Sequence, residues 1–113
     1  MLALSLLKEQ SIDFIYIDGG HDYQNAKNDI VQSKRLINKT FGIICGDDLE
    51  LAPSESLIKI ARNNMVTDSC VLSDDGYGFH PGVCLAIYEE FGNVNLDNGF
   101  WWIFCKEGDF VLK

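Results

Sequence analysis

Ile12-Asp13-Phe14-Ile15-Tyr16-Ile17-Asp18-Gly19-Gly20-His21-Asp22-Tyr23 is the stretch that decides the fold. Its apolar run, Phe14 to Ile17, has no polar alternation, the pattern of a parallel strand covered on both faces. The run stops at Asp18. Open α/β sheets bind ligands outside the carboxyl ends of their strands, so Asp18 belongs to a functional rim. Gly19 and Gly20 let the chain turn sharply. His21, three residues past Asp18, shares the same pocket. Asp22 then suits the N-cap of a helix over residues 23–37. Ala26, Ile30, Ser33 and Ile37 line one side of it, while Lys27, Asp29, Lys34 and Arg35 fall mostly elsewhere.

Beyond the helix, Phe41-Gly42-Ile43-Ile44-Cys45 reads as a second buried strand, ending in Gly46-Asp47-Asp48. Strand, helix and strand make a right-handed βαβ unit. Parallel strands end on the same side, so Asp18, Asp47 and Asp48 share one rim. Neighbouring strands lie about 4.8 Å apart, close enough for these carboxylates to converge on a hard cation such as Mg²⁺, Mn²⁺ or Ca²⁺. The same carboxylates read equally well as solvated helix caps. His21 has the chemistry of a general base and, equally, that of a turn or packing residue. His80, beside Pro81, either lines a substrate pocket or simply precedes a helix. Tyr23, Tyr77 and Phe79 flank the rim and are the candidates for touching a substrate. Tyr16 and the Trp101-Trp102 pair read as core and sheet-face residues.

The rest of the chain extends this frame. Residues 2–9 read as the end of a helix, with Leu2, Leu6 and Leu7 on one face and Lys8 near its C-terminus. Residues 49–80 form a long irregular region with a short helix near 54–63, the size of insertion that serves as a lid or substrate loop. Pro81 opens a helix whose face carries Val83, Ala86, Ile87 and Phe91. A short strand over 93–96, a tight turn at Asp97-Asn98-Gly99, a strand over 100–105 and a last apolar run over 110–112 follow. The expected architecture is α/β, with parallel strands first and an antiparallel hairpin last.

Composition narrows the function. At 113 residues the chain is one domain at most. A net charge of −8 argues against a nucleic-acid groove or an anionic membrane as partner; it is compatible with a small molecule or a metal, and solubility alone explains it equally well. The four cysteines show no zinc-type spacing. They have no basic sequence neighbour to activate a thiol, so none is assigned as a nucleophile. They imply a reducing compartment. Residues 1–7 are too short to span a bilayer and lack a basic leader region, so a cytoplasmic location is expected. No glycine pattern for a dinucleotide or triphosphate occurs. A doubly covered parallel strand needs neighbours on both sides, and few are supplied. Residues 1–113 therefore read as part of a larger domain, with sheet edges open to pairing with another copy.

The string Asp13 to Tyr23, with Lys27 and Asp29 downstream, resembles the fourth strand and following helix of class I S-adenosylmethionine-dependent methyltransferases. It is most similar to the methyltransferase-24 branch, whose usual string is IDGDHSYE followed by an aspartate. Gly42 to Asp48 resembles that branch's next strand, and Pro81-Gly82-Val83 with Ala86 and Phe91 its PGV helix. The resemblance implies a seven-stranded sheet with the last strand antiparallel, of which this chain is the second half. It implies S-adenosylmethionine as cofactor and Mg²⁺ held by Asp18, Asp47 and Asp48. It also implies His21 as proton acceptor in transfer to a small hydroxylated acceptor, a sugar or a catechol-like ring. Gly20 stands where the family has an acidic residue. The cofactor's glycine-rich loop and ribose-binding acid have no counterpart in this sequence and belong upstream of residue 1, so the chain alone is expected to be inactive. A relative that keeps the fold and metal for other chemistry, as in cephalosporin-hydroxylase-like proteins, is the enzymatic alternative. A non-catalytic or truncated module that pairs with another chain is the alternative outside enzymes.

Overall fold

The computed structural model describes residues 9–113. The helix expected over residues 2–9 lies outside them except for Glu9. Strand β1 (Phe14–Ile17) leads through a turn into helix α1 (Tyr23–Leu36) and strand β2 (Phe41–Gly46). Helix α2 (Glu55–Arg62) and a small hairpin, β3 (Val71–Leu72) with β4 (Gly78–Phe79), fill the long connection. Helix α3 (Pro81–Phe91) precedes strands β5 (Asn95–Asp97), β6 (Phe100–Lys106) and β7 (Asp109–Val111).

The local signals explain these boundaries. The Asp22 side chain accepts from the Asn25 amide and caps α1, and Ser54 accepts from the Leu57 amide and caps α2. Pro81 starts α3 in the first turn, where its missing N–H costs nothing. Asn98 and Gly99 have φ of 49° and 84°, and Glu107 and Gly108 have φ of 49° and 84°. Both pairs therefore adopt the two-residue turns with positive φ at each position that join twisted antiparallel strands.

The main sheet has five strands, in the order β1-β2-β6-β5, with β7 also on β6. Only β1 and β2 run parallel, with Phe14 opposite Ile43 and Ile17 opposite Gly46. Strand β6 lies antiparallel to β2, with Gly46 opposite Trp101. Strands β5 and β7 share its other edge, against residues 100–102 and 104–106. The fold is thus mixed α/β, with a mostly antiparallel sheet and one parallel pair.

The expectation that β1 is covered on both faces does not hold. Ile15, Ile44, Trp101 and Ile103 point into the core with Ile30, Leu57, Ile58 and the body of α3. Every residue from Pro81 to Ile87 is buried, because α3 lies between the other two helices and packs with them on the sheet. The opposite face is bare of any covering element among the described residues. Phe14 is 60 % exposed and Tyr16 44 %, so Tyr16 is not a core residue. Phe14, Ile43, Phe100, Trp102 and Phe104 line an open apolar surface there, capped in part by the Lys106 ammonium, 5.1 Å from the Phe104 ring. The reason is structural: the described chain supplies one layer of helices, and all of it lies on the other side. The second edge of β1 has no partner strand among the described residues.

Candidate functional site

The carboxyl ends of β1 and β2 meet as the parallel pairing dictates. Asp18, His21, Asp47 and Asp48 line one narrow hollow together with Ile17, Val83 and Trp101. Its cavity volume is about 20 Å³, room for a single water or ion. The helix beneath is pressed hard against the turn that carries His21. A Cβ on Gly82 would come 2.3 Å from the Tyr23 amide nitrogen and 2.5 Å from the His21 carbonyl oxygen. Only glycine lets α3 approach this closely.

His21 is held from two sides. Its Nε2 lies 2.7 Å from Asp48 Oδ2. Its backbone N–H donates to Asp68 Oδ1 at 2.7 Å, and its Nδ1 lies 3.6 Å from that oxygen. Asp48 has φ of 67°, a left-handed conformation that costs a non-glycine residue energy and that Asp tolerates better than most. His80 lies against His21, with ring centroids 4.4 Å apart and planes tilted 41°. His80 Nδ1 is 2.7 Å from Glu50 Oε2, and its backbone N–H donates to Glu50 Oε1 at 2.9 Å. The Cys70 sulfur stands 3.6 Å from His80 Nδ1.

The expected trio of rim carboxylates is divided between other partners. The Tyr16 hydroxyl donates to Asp47. That bond, with desolvation and the charges of Asp47, Asp18 and Asp48, pushes the Tyr16 phenol up to about 12, so it stays a donor. Asp48 is taken up by His21. Among the described residues, two groups bring three metal-ligating atoms within 4.8 Å of one another. One is His21, Asp48 and His80; the other is Glu50, Cys70 and His80. Asp18 and Asp47 belong to neither.

Of the remaining candidates, Tyr23 turns toward α3, where its hydroxyl donates to Glu89 at 2.5 Å, a bond that raises its pKa. Tyr77 is exposed, 65 %, on the β3–β4 hairpin. His80 joins the site, and with it come Glu50, Asp68 and Cys70, which the sequence reading left out. Cys70 does have a basic neighbour, in space and not in sequence. Burial, with the Glu50 and Asp48 charges, raises its thiol pKa, so no reactive thiolate results. The signal for this pair was the Asp74-Asp75-Gly76 turn. The hairpin register, Val71 opposite Phe79, carries residue 70 back to residue 80. The described cysteines are free thiols, and no described helix is long and apolar enough to cross a membrane.

No family model, no curated protein and no solved structure matches this chain.

Proposed function

We propose that the chain is the acceptor-binding half of a class I methyltransferase, acting on a hydroxyl of a small molecule. The observation that carries the reading is the His21–Asp48 pair at the ends of two adjacent parallel strands. Support comes also from the antiparallel β6 beside β2, since the resemblance implies an antiparallel last strand. Asp48 accepts the Nε2 proton of His21, which leaves Nδ1 as the basic nitrogen. An acceptor hydroxyl at the rim would give its proton to that nitrogen as the oxygen attacks, and general-base help of this kind is worth roughly 10²–10⁴-fold.

The groups that the resemblance implies fit less well. S-adenosylmethionine supplies an electrophilic methyl when bound. Here the space beside Gly19 and Gly20 is filled by the chain's own Asp29 and Asn25 side chains, so these glycines offer it no cradle. An all-oxygen Mg²⁺ site is not gathered either, because Asp47 and Asp48 face Tyr16 and His21. No step is derived through either group.

The test is transfer of labelled methyl from S-adenosylmethionine to a panel of catechols and sugars, using the chain extended upstream, with His21→Ala beside it. Transfer that falls at least 100-fold in the variant supports the reading. Transfer that the variant leaves unchanged, or none by the folded extended protein, overturns it. The bare aromatic face and the unpaired edge of β1 favour a second reading, a module that completes its sheet with another chain. Sedimentation of the chain extended upstream separates the two: in the enzyme the upstream half is expected to cover the face and the edge, and only the module is expected still to pair.

A further inference from the structure

We infer that His21, Asp48 and His80 form a binding site for a borderline transition cation of the Zn²⁺ or Fe²⁺ class, with Glu50 as the residue that orients His80. Three observations support the donor set. First, one ligand atom from each residue already lies within 4.8 Å of the others. Tetrahedral Zn²⁺ with bonds of about 2.0–2.1 Å sets its ligands roughly 3.3 Å apart, so the trio closes with shifts of about an ångström. Second, each imidazole has a carboxylate on the atom that a metal does not need. Glu50 Oε2 holds His80 Nδ1 at 2.7 Å, which fixes the proton there and leaves Nε2 with its lone pair. His21 Nε2 faces Asp48 Oδ2 at 2.7 Å, so an ion there displaces the Nε2 proton, and Nδ1, 3.6 Å from Asp68 Oδ1, takes up the N–H. A carboxylate behind the imidazole is the usual support of a metal-binding histidine.

Third, the surroundings supply charge without supplying a competing cation. Asp18 and Asp47 share the hollow's lining with Asp48. Among the described residues no lysine or arginine is paired with Asp48, Glu50 or Asp68. Two imidazole nitrogens and one carboxylate suit Zn²⁺, Fe²⁺ or Co²⁺ better than Mg²⁺, which takes oxygen ligands. An ion here takes the place of the proton shared by His21 and Asp48. Three protein ligands also leave a coordination position open toward the rim. This inference does not rest on methyl transfer: the site binds its ion whether or not the chain is half of such an enzyme, and with the ion on Nε2 the His21 Nδ1 carries the proton, so the metal-bound form is not the form that acts as base.

The experiment is titration of the metal-free chain with Co²⁺, followed by visible absorption and by calorimetry, with Zn²⁺ in competition. The expected result is one saturable site, with a d–d spectrum of low-coordinate cobalt and proton release that weakens binding as pH falls. His80→Gln and Asp48→Asn are each expected to weaken binding at least 10-fold, and Asp47→Asn, which removes a nearby charge but no ligand, to weaken it far less. Circular dichroism confirms that each variant folds, and Glu50→Gln, which removes the carboxylate behind His80 Nδ1, is expected to weaken binding less than His80→Gln. Binding lost in Asp47→Asn but kept in His80→Gln would mean a carboxylate site and overturn the assignment. A sulfur-to-cobalt charge-transfer band that vanishes in Cys70→Ser would place the ion on Glu50, Cys70 and His80, and would overturn it too. So would a folded chain with no saturable site.

Discussion

His21 Nε2 and Asp48 Oδ2 stand 2.7 Å apart across 27 residues of sequence, and Asp48 keeps its place from a left-handed backbone conformation. Both side chains are about one-third exposed, 34 % and 38 %, so the pair itself adds under about 1 kcal/mol. Glycine in place of Asp48 would relieve strain of order 1 kcal/mol. Asp48→Gly is therefore expected to leave stability unchanged or raise it by up to about 1 kcal/mol in urea unfolding, while it abolishes cobalt binding. A large loss of stability would mean that Asp48 is retained for folding.

Gly82 is the opposite kind of position. A methyl group there meets backbone atoms of residues 21–23, which cannot rotate away. Gly82→Ala should cost about 1–3 kcal/mol and move His21 relative to Asp48. Denaturant titration reads the first effect. The imidazole proton shifts of His21 read the second.

Trp101 lines the hollow from inside the core and is 2 % exposed. Its truncation to alanine should remove about 3–5 kcal/mol. A Cβ on Gly46 would lie 2.9 Å from the Trp101 ring nitrogen and 3.0 Å from the Ile17 carbonyl oxygen, so Gly46→Ala is expected to press on the buried ring and on the β1 backbone and to cost about 1–3 kcal/mol.

Two acids on the helical layer should respond to pH in opposite senses. Glu90 binds Lys27 at 2.6 Å and Lys34 at 3.3 Å, and chiefly the Lys27 bond lowers its pKa from 4.5. Its contribution is present above pH 4.5 and is lost as pH falls through the depressed value. Burial raises the Asp29 carboxyl above 3.8. That group favours the folded state when protonated, so its penalty grows as pH rises from 3.8 through the raised value. Glu90→Gln should destabilise at pH 7 by roughly 0.5–1 kcal/mol, and by progressively less as pH falls from 4.5 through the depressed value. Asp29→Asn should stabilise at pH 7 and not at pH 3. Thermal unfolding at both pH values tests the pair of signs.

Much of the helical layer could be read in advance. Asp22 and Ser54 cap helices that begin one residue later, Pro81 starts another, and the two glycine turns fix the last hairpins, because each signal acts within four residues. The rim followed as well, since parallel strands must end together. What escaped was set by contacts between distant segments. Periodicity reports that Phe14 to Ile17 are apolar, but not whether a second layer exists to cover them. Nothing local says that Tyr16 would occupy Asp47 or that Glu50 would reach His80; only the approach of Cys70 to His80 had a local signal, the Asp74-Asp75-Gly76 turn.

The bare face of the sheet has a consequence for how copies of this chain behave in solution. Phe14, Trp102 and Phe104 would bring two copies together, and a net charge of −8 on each holds them apart. That repulsion reaches about 10 Å in 0.1 M salt and about 3 Å in 1 M. Dilute buffer should thus keep the protein dispersed, while concentrated salt should drive it into association without unfolding it. Its dispersal in dilute buffer is a balance between one apolar face and the net charge of the whole chain.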